Sequence, residues 1–441
     1  MNRSVKHYGA MLVSLGLLAG NLAGQDTNQV HPVDLPTVLR LAGAQNLEIQ
    51  LARERLREAE AHRTSAVERF FPWIAPGVGY HRRDGVAQAV PAGTISDAHF
   101  QSYSPGVTLA AQLDIGEAWY QSLAAKQLVR ASSHGLEAQR QETLLQAAQL
   151  YFDLTRSKAL VEVAADAFQA SEAYRRELHQ AVVAGLAFKG DELRVQTQTK
   201  DYEIFLRRAR EQLKVSAVEL ARVLHLDPTV ELVPQDTGLA SLTLVETNAT
   251  AARLIDQALV SRPELKQGDA LLAAAREGHN GAVYGPLIPS LTAQAFGGGL
   301  GGGPDGGPTH FGAEGDYLVG LSWRIGPGGL FDPGRVRAHQ ARVAQAELSE
   351  AKLRDDISSQ VVTALARVQS LADQIELSQA KLAAATETLR VTHERKQYGV
   401  GIVLEDLQAQ QDLERARSDY LNAIAEFNKA EYQLAKYIGS L

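Results

Sequence analysis

Histidine and cysteine would be the first residue types to indicate a metal or redox site in this sequence. The chain has 441 residues, with 12 His and no Cys. No histidine stands three or four positions from another histidine, the spacing that lets two imidazoles on one helix face share a metal ion. We therefore expect neither a protein-bound metal ion nor a disulfide.

A glycine-rich run, FGGGLGGGPDGGP at positions 296–308, suggests a phosphate-binding loop. Such a loop needs a Lys followed by Ser or Thr, and the start of a helix whose free N–H groups hold the anion. Neither follows this run, so we predict that it is a loop between two strands, with a second such loop at 81–101. The sequence also has no nucleophile elbow and no dinucleotide fingerprint. We expect no enzyme activity and no cofactor.

Two pairs of adjacent acids are the remaining candidates. Asp191 and Glu192 lie near the end of the stretch VAGLAFKGDEL at 183–193, and Glu405 and Asp406 lie near the end of YGVGIVLEDL at 398–407. Both stretches interrupt a helical pattern. Carboxylates in the first turn of a helix stabilise it by about 0.3–1 kcal/mol each, and this explanation requires no function. A functional explanation depends on the architecture around them.

The architecture follows from an internal repeat. Shifted by 214 positions, the sequence matches itself: Tyr103 meets Tyr317, and Gly185 meets Gly399. One gap-free offset over this distance indicates two copies of one structural unit. We predict a first repeat at 25–225 and a second repeat at 253–441, joined by an equatorial linker at 226–252.

Each repeat is predicted to contain an opening helix, a β-hairpin, a long helix and a shorter helix. The opening helices are expected at 35–67 and 253–283, the hairpins at about 71–115 and 286–325, the long helices at 117–183 and 335–397, and the shorter helices at 191–225 and 405–438. At 1.5 Å per residue each long helix would reach about 100 Å. This length indicates a coiled-coil shaft, and we expect the heptad residues Leu365 and Val368 to lie in a coiled-coil interface on which trimer formation depends.

The hairpin strands alternate between apolar and polar residues, which is typical of a strand with one apolar face. A membrane-spanning strand needs about 9–11 residues and must belong to a closed barrel. Four strands cannot close a barrel, so several chains would have to pool theirs. The residues predicted to face lipid are Tyr103, Val107, Leu109, Leu113, Tyr317, Val319, Leu321 and Trp323. A soluble sheet packed on helices would also alternate and is the other interpretation of this pattern.

The N-terminus indicates export from the cytoplasm. Arg3 and Lys6 precede an apolar run at 10–19, and small residues follow at 21–25. This pattern predicts a secretory signal peptide at 1–24, because the apolar run is only about half as long as a membrane span. The formal net charge of the whole chain is −7, so we do not expect nucleic acid as a partner.

With these features in place, the sequence resembles the TolC-type outer-membrane efflux protein family from about residue 35 to residue 438. The order of elements, repeated twice, carries the resemblance. Short stretches add to it: FFPWIAP, YGPLIPSL, SRPELK with its degraded counterpart NLEI, LFDPGRVRA and YGVGIVLEDLQAQQ. The resemblance implies a mainly α protein with membrane β structure: a long coiled-coil helical barrel joined to a trimeric twelve-stranded β-barrel, with four strands from each chain.

The resemblance also implies a function and a location. It implies a homotrimer in the lipid of the cell outer membrane, with a helical tunnel that extends into the periplasm. Such a channel passively exports substrates that it receives from an inner-membrane transporter through a periplasmic adaptor protein, in a tripartite efflux pump or a type I secretion system. By the same resemblance, the residues that contact the adaptor are expected at the two interruptions: Gly185, Leu186, Gly399, Gly401 and Ile402.

The channel entrance is expected beside the same interruptions. Glycines there let a helix end in a left-handed turn, which alone accounts for their presence. The family often has an arginine after the second glycine that ties the entrance shut, but here Ile402 follows Gly401. Tyr398 is therefore the gating candidate in this segment.

The acid pairs gain a functional explanation from this architecture. Three subunits would place six pairs around one axis, where a ring of carboxylates would favour cations. Neighbouring residues on a helix point about 100° apart, so only one acid of each pair could face the lumen. We predict Glu192 and Asp406 for that position, as further entrance candidates, and the helix-capping explanation stays open beside this one.

A periplasmic coiled-coil adaptor is the alternative function. Adaptors are also secreted and rich in coiled coil. They have one helical hairpin beside compact β domains, whereas this sequence predicts two helical hairpins and four amphipathic strands. The channel is therefore the favoured interpretation.

Overall fold

The computed structural model of the protein describes residues 30–88, 93–236, 238–246, 249–304, 310–398 and 402–441. The predicted signal peptide at 1–24 lies outside these residues. The helices are α1 (Leu35–Gln45), α2 (Leu47–Glu68), α3 (Ile115–Val183), α4 (Lys189–Val223), α5 (Ala251–Ser261), α6 (Pro263–Tyr284), α7 (Pro333–Gln397) and α8 (Val403–Tyr437). The strands are β1 (Val30–Val33), β2 (Trp73–Gln88), β3 (Ile95–Leu113), β4 (Glu231–Pro234), β5 (Ser290–Pro304) and β6 (His310–Ser322).

The internal repeat is visible in the order and the lengths of the elements. Helices α1 and α5 have 11 residues each, α2 and α6 have 22, and α4 and α8 have 35. In both repeats a β-hairpin and one long helix lie between the 22-residue helix and the 35-residue helix. The chain is mainly helical with a twofold internal repeat, as the sequence predicts.

The opening helix of each repeat is split in two, which the sequence analysis missed. The side chain of Asn46 accepts hydrogen bonds from the N–H groups of Glu48 and Ile49, and so caps the start of α2. In the second repeat Arg262 has extended backbone, because it precedes Pro263 at the first position of α6. Each break therefore has a local cause, an N-cap in one repeat and a proline in the other.

Short helices are stacked end to end along each long helix. The α3–α4 pair is antiparallel, since Ser157 bonds Ser216 while Ser171 bonds Thr199. The end of α4 meets the start of α2 where the Asn46 amide donates to the carbonyl of Val223, at 2.9 Å. The end of α8 meets the end of α5, just before α6 begins, where the Ser261 hydroxyl donates to the carbonyl of Ile438, at 2.7 Å. These stacked helices and the two long helices form the shaft.

The core lies inside the shaft of a single chain. One cluster surrounds Tyr151 and Leu220, and a second one surrounds Ile357 and Val361. Leu365 and Val368 pack against the second cluster. Both residues therefore lie in an interface between helices, where they stabilise the packing of α7 on α5 and α8 of the same chain. That trimer formation depends on them stays a prediction.

The linker between the repeats is tied to the middle of the shaft. Strand β4 pairs in parallel with β1, and the N–H groups of Leu244 and Val245 donate to the buried carboxylate of Glu431 on α8. The Asn428 side chain also binds this segment, through Leu242. These contacts hold the linker against the helices at the junction of the two repeats.

The four long strands form one antiparallel sheet in the order β2-β3-β5-β6. Within the described residues, β2 and β6 each pair with one strand only, so the sheet has two open edges. None of the helices in the described ranges is both long enough and apolar enough to cross a membrane.

Both loops that connect the strands of a hairpin are shorter than predicted. Residues 81–88 belong to β2 and residues 95–101 to β3, while most of the glycine run belongs to β5. The glycines are needed there because the Phe311 ring of β6 covers them: a Cβ on Gly299 or Gly301 would lie 2.4 Å from that ring. Residues 89–92 and 305–309 of these connections lie outside the described residues.

Candidate functional site

The first candidate surface is the apolar face of the sheet. The register places Leu113 opposite Leu291 and Leu291 opposite Leu321, so these three side chains share one face. Because side chains alternate along each strand, seven of the predicted residues share it: Tyr103, Val107, Leu109, Leu113, Tyr317, Val319 and Leu321. Trp323, the eighth, follows the end of β6, and its indole N–H donates to the carbonyl of Leu287 at 3.3 Å.

This apolar face has about the height of the apolar band on membrane barrels. From Leu113 to Tyr103 the strand advances ten residues, or about 33 Å at about 3.3 Å per residue. At the strand tilt of about 45° found in barrels, this corresponds to about 23 Å, close to the apolar band of about 25 Å on membrane barrels. The rings of Tyr80 and Tyr103 lie 5.3 Å apart at one boundary, a position where such barrels carry aromatic girdles.

The opposite face of the sheet is more polar. It carries Ser104, Thr108, Gln112, Thr292, Gln294, Glu314 and Asp316, together with the apolar residues Trp73, Phe100, Phe296, Leu300 and Leu318. A sheet with one continuous apolar face and one face with carboxylates can separate lipid from water. The two open edges then have to be covered by further strands, because unpaired edges do not occur in the hydrocarbon region.

The second candidate surface is the tip of the shaft, the turn between α3 and α4 and the segment between α7 and α8. Gly185 has φ +75°, the left-handed conformation predicted for it. The next residue, Leu186, is 84% exposed, and Phe188 is 82% exposed. Phe188 and Val183, which is also exposed, were not among the predicted contact residues, although both lie within the interrupted stretch at 183–193. The first turn of the tip is therefore a small apolar knob.

At the second turn of the tip, Gly399 and Gly401 lie outside the described residues. Tyr398 follows the last residue of α7 as its C-cap, and it is 83% exposed. Ile402 precedes α8 and is also exposed. The two turns thus present apolar side chains at the same end of the shaft.

Glu192 and Asp406 are buried within the chain, which corrects the prediction that they face a lumen. Glu192 accepts hydrogen bonds from Lys189 at 2.6 Å and from His179 at 2.8 Å. These two bonds hold the pKa of Glu192 below its usual value. The neighbouring Asp191 and Glu405 are more exposed. The sequence alone could not show that these carboxylates are buried, because their partners His179 and Lys396 belong to other helices.

Asp406 lies at the centre of a charged cluster that joins three helices at the tip. Its carboxylate is only 1% exposed and lies 3.9 Å from the Lys396 ammonium of α7. That ammonium stands 3.5 Å from the ring centroid of Tyr174 on α3, within the range of a cation–π contact. Burial, and then the charge of Asp406, raise the pKa of the Tyr174 hydroxyl. Arg395 and Glu405 form a second α7–α8 ion pair beside the cluster, at 3.3 Å.

Further along the shaft, the carboxylate of Glu414 on α8 is largely buried. Neighbouring groups compensate its charge only in part. One of its carboxylate oxygens has no hydrogen-bond partner among the described atoms. Burial raises the pKa of Glu414 to about 7, although Arg417 favours the ionised form, and Asp166 of α3 adds to the rise. The ionisation of this residue therefore takes place near neutral pH.

Within the parts of the chain that the structure covers, no three His, Cys, Asp or Glu side chains stand close enough to hold a metal ion. The candidate surfaces are thus two: the sheet, with its apolar and polar faces, and the tip, with its apolar knob and charged cluster.

Comparison with known proteins follows the same division into repeats. The family model described as outer membrane efflux protein matches residues 38–224 and again residues 254–440. The two matched stretches begin within α1 and α5 and end just beyond α4 and α8. No curated protein sequence matches the chain.

Several solved structures have the same fold at low sequence identity. A membrane protein from Pseudomonas aeruginosa is 19% identical with a TM-score of 0.78, covering 92% of this chain and 93% of that chain. The CmeC outer membrane channel of Campylobacter jejuni is 16% identical with a TM-score of 0.77, covering 100% and 94%. The outer membrane protein VceC of Vibrio cholerae is 17% identical with a TM-score of 0.74, covering 92% and 96%. At these identities the likeness shows the fold.

Proposed function

Because the chain belongs to the outer membrane efflux protein family, we propose that it forms a trimeric channel through which an efflux pump or a type I secretion system exports its substrates. Family membership confirms the resemblance seen in the sequence and does not favour the adaptor alternative. The family model is described as outer membrane efflux protein, CmeC is an outer membrane channel, and the protein is an outer-membrane channel component.

The four-stranded sheet is the observation that carries the proposal. It has one apolar face of membrane height and two open edges. About eight strands are the practical minimum for a membrane barrel, so one chain cannot close it. Three copies that pair β6 of one with β2 of the next would close a barrel of twelve strands. The seven predicted residues on the apolar face, from Tyr103 to Leu321, would then face lipid, and Glu314 and Asp316 would line the pore.

The shaft is proposed to extend into the periplasm as a helical tunnel. It continues directly from the sheet, since α3 follows β3 after one residue. Each of its long helices has 65 residues or more, which corresponds to about 100 Å. A sheet in the outer membrane therefore places the tip far from that membrane, toward the inner one.

The tip is the proposed contact surface for a periplasmic adaptor protein. Exposed apolar side chains on a monomeric surface are typical of protein interfaces when they are grouped. Leu186 and Phe188 form such a group at the first turn. Ile402, with Gly399 and Gly401, supplies the equivalent position at the second turn. The adaptor would connect the channel to an inner-membrane transporter, which supplies the energy, so that transport through the channel itself is passive.

We propose that the charged cluster at the tip keeps the channel entrance narrow. Asp406, Lys396 and Tyr174 link the α7–α8 pair to α3 within one chain. The Glu192 pairings hold the first turn in the same way. The entrance candidates thus act through contacts inside the subunit rather than as a carboxylate ring, and Tyr398 remains available to contact a neighbouring subunit. Ile402 stands where the family often has an arginine after the second glycine, and we infer that the cluster takes over the role of that arginine.

Membrane fractionation combined with planar-bilayer recording tests the proposal. The protein should sediment with the outer membrane and, after detergent extraction and reconstitution, give stepwise ion conductance. A protein that stays in the soluble periplasmic fraction, or an extracted protein that never conducts, would contradict it.

A further inference from the structure

An aromatic ring covers a gap of two glycines on the more polar face of the sheet, the face proposed to line the pore. Gly106 of β3 pairs with Gly298 of β5, so neither residue places a side chain above the backbone there. The Phe296 ring occupies this space: a Cβ on Gly106 would lie 2.4 Å from it, and one on Gly298 would lie 2.9 Å from it. The glycines therefore hold the ring against the backbone of the pore wall.

Two carboxylates stand beside this ring. Asp316 of β6 is directly opposite Phe296, and Glu314 is directly opposite Gly298, over which the ring extends. Directly opposite residues in an antiparallel pair have Cβ atoms about 4.5–5.5 Å apart. Asp316 is exposed and Glu314 is half-buried. Within the part of the chain that the structure describes, neither carboxylate has a hydrogen-bond or ionic partner.

The positive charges on this face lie elsewhere. Side-chain alternation along the four long strands, as far as they are described, places one Arg and no Lys on the pore side, and that residue is Arg83 of β2. Gly77 of β2 shares the row of Glu314. Arg83 is six residues further along the strand, or about 20 Å away. The two acids therefore keep their charge uncompensated within the subunit.

An apolar row borders the acids on the side toward the shaft. Leu318 follows Asp316 by two residues on the same face of β6, and the register places Trp73 in the same row as Leu318. Leu318 is 54% exposed and Trp73 is 58% exposed. From Leu318 to Glu314 the strand advances four residues, or about 13 Å. An apolar surface, an aromatic ring and two carboxylates thus follow one another over the length of one small organic molecule.

This group of side chains lies at the middle of the membrane band. Phe296 and Asp316 share a row with Thr108, which is adjacent in sequence to Leu109 on the lipid side. A low-dielectric wall around a pore concentrates the field of the charges that line it. Rings of Asp and Glu in a pore favour cations, and an aromatic face attracts a cation within about 6 Å of the ring centre.

We propose that Phe296, Glu314 and Asp316 form a binding site inside the barrel for organic cations with an apolar body. The inference rests on the closed barrel of the proposed function and specifies a class of substrate for it. The positive group of the ligand lies between the ring and the carboxylates, and its apolar part contacts Leu318. An inorganic cation interacts with the acids alone, whereas an organic cation also contacts the ring. The acids and the ring therefore have separable effects.

Planar-bilayer recording measures the two effects separately. In a KCl gradient the reversal potential of the wild-type channel should show a preference for K⁺ over Cl⁻, and tetrabutylammonium on the extracellular side should reduce the conductance. Glu314→Gln combined with Asp316→Asn should lower the K⁺ preference and raise the half-blocking concentration about tenfold, since two exposed charge contacts are lost. Phe296→Leu should leave the K⁺ preference unchanged and raise the half-blocking concentration about two- to fivefold.

Asp97→Asn is the matched control for the loss of charge. Asp97 lies on β3, and alternation from Tyr103 places it on the opposite side of the same sheet, so this variant should change neither quantity. Wild-type block in both test variants, in channels that conduct normally, would overturn the inference and leave the proposed function intact. Block that depends on the acids but not on Phe296 would overturn the site for organic cations. A protein that gives no conductance at all would overturn the proposed function itself.

Discussion

An arginine placed at residue 109 should prevent assembly, whereas an arginine at residue 108 should be tolerated. Leu109 lies on the apolar face, four residues from Leu113 and six from Tyr103, which mark the two ends of the band. This places it near the middle of the bilayer. An Arg there costs about 2–4 kcal/mol in membrane barrels, and three copies would therefore cost about 6–12 kcal/mol per trimer.

Thr108 is the matched control, because it is adjacent in sequence and points to the other face. Its row on that face includes Asp316, through Phe296 of β5. Thr108→Arg would reach water and a carboxylate, so assembled protein should be close to the wild-type amount. The assay is the amount of trimer in outer-membrane fractions on unheated gels, normalised to total protein. Equal losses in Leu109→Arg and Thr108→Arg would refute the assignment of the two faces.

Three further predictions concern the shaft and the tip. The pKa of Glu414 is about 7 in the folded protein and 4.5 in the unfolded chain. The folded protein therefore binds a proton more readily, and thermal stability should rise as the pH falls from about 7 toward 4.5. Glu414→Gln should abolish this rise in melting experiments, and an unchanged pH profile would contradict the buried acid. Leu186→Asp combined with Phe188→Asp should abolish export in cells that depend on this channel while trimer levels stay normal; normal export would exclude the knob as a docking surface. Lys396→Ala removes the counter-charge of the buried Asp406 carboxylate, and breaking such a pair costs about 3–5 kcal/mol. The entrance should therefore widen and the conductance in planar bilayers should increase. A conductance equal to that of the wild type would show that the cluster does not keep the entrance narrow.

The repeat and the long helices could be predicted because they depend on local patterns. Helix α3 begins at Ile115 and α7 at Pro333, each two residues before the predicted start. Alternation along β3 also identified the apolar face correctly, since a period of two fixes which side chains share a face.

Features that depend on distant partners could not be predicted. The glycine run forms a strand because Phe311 covers it from the next strand, and nothing within the run shows that. The rotation of α8 about its axis buries Asp406 against Lys396, a contact between two helices that the sequence does not orient. The heptad pattern that contains Leu365 and Val368 is the same whether the partner helix belongs to the same chain or to another, so the sequence could not identify the partner.

Counting the subunits tests the central claim most directly. Native mass spectrometry of the detergent-extracted protein gives the number of chains in the complex. If the four strands of one chain are one third of a closed barrel, the mass should be three times that of the mature chain. A folded, stable monomer, or a complex of any other number of copies, would contradict the account.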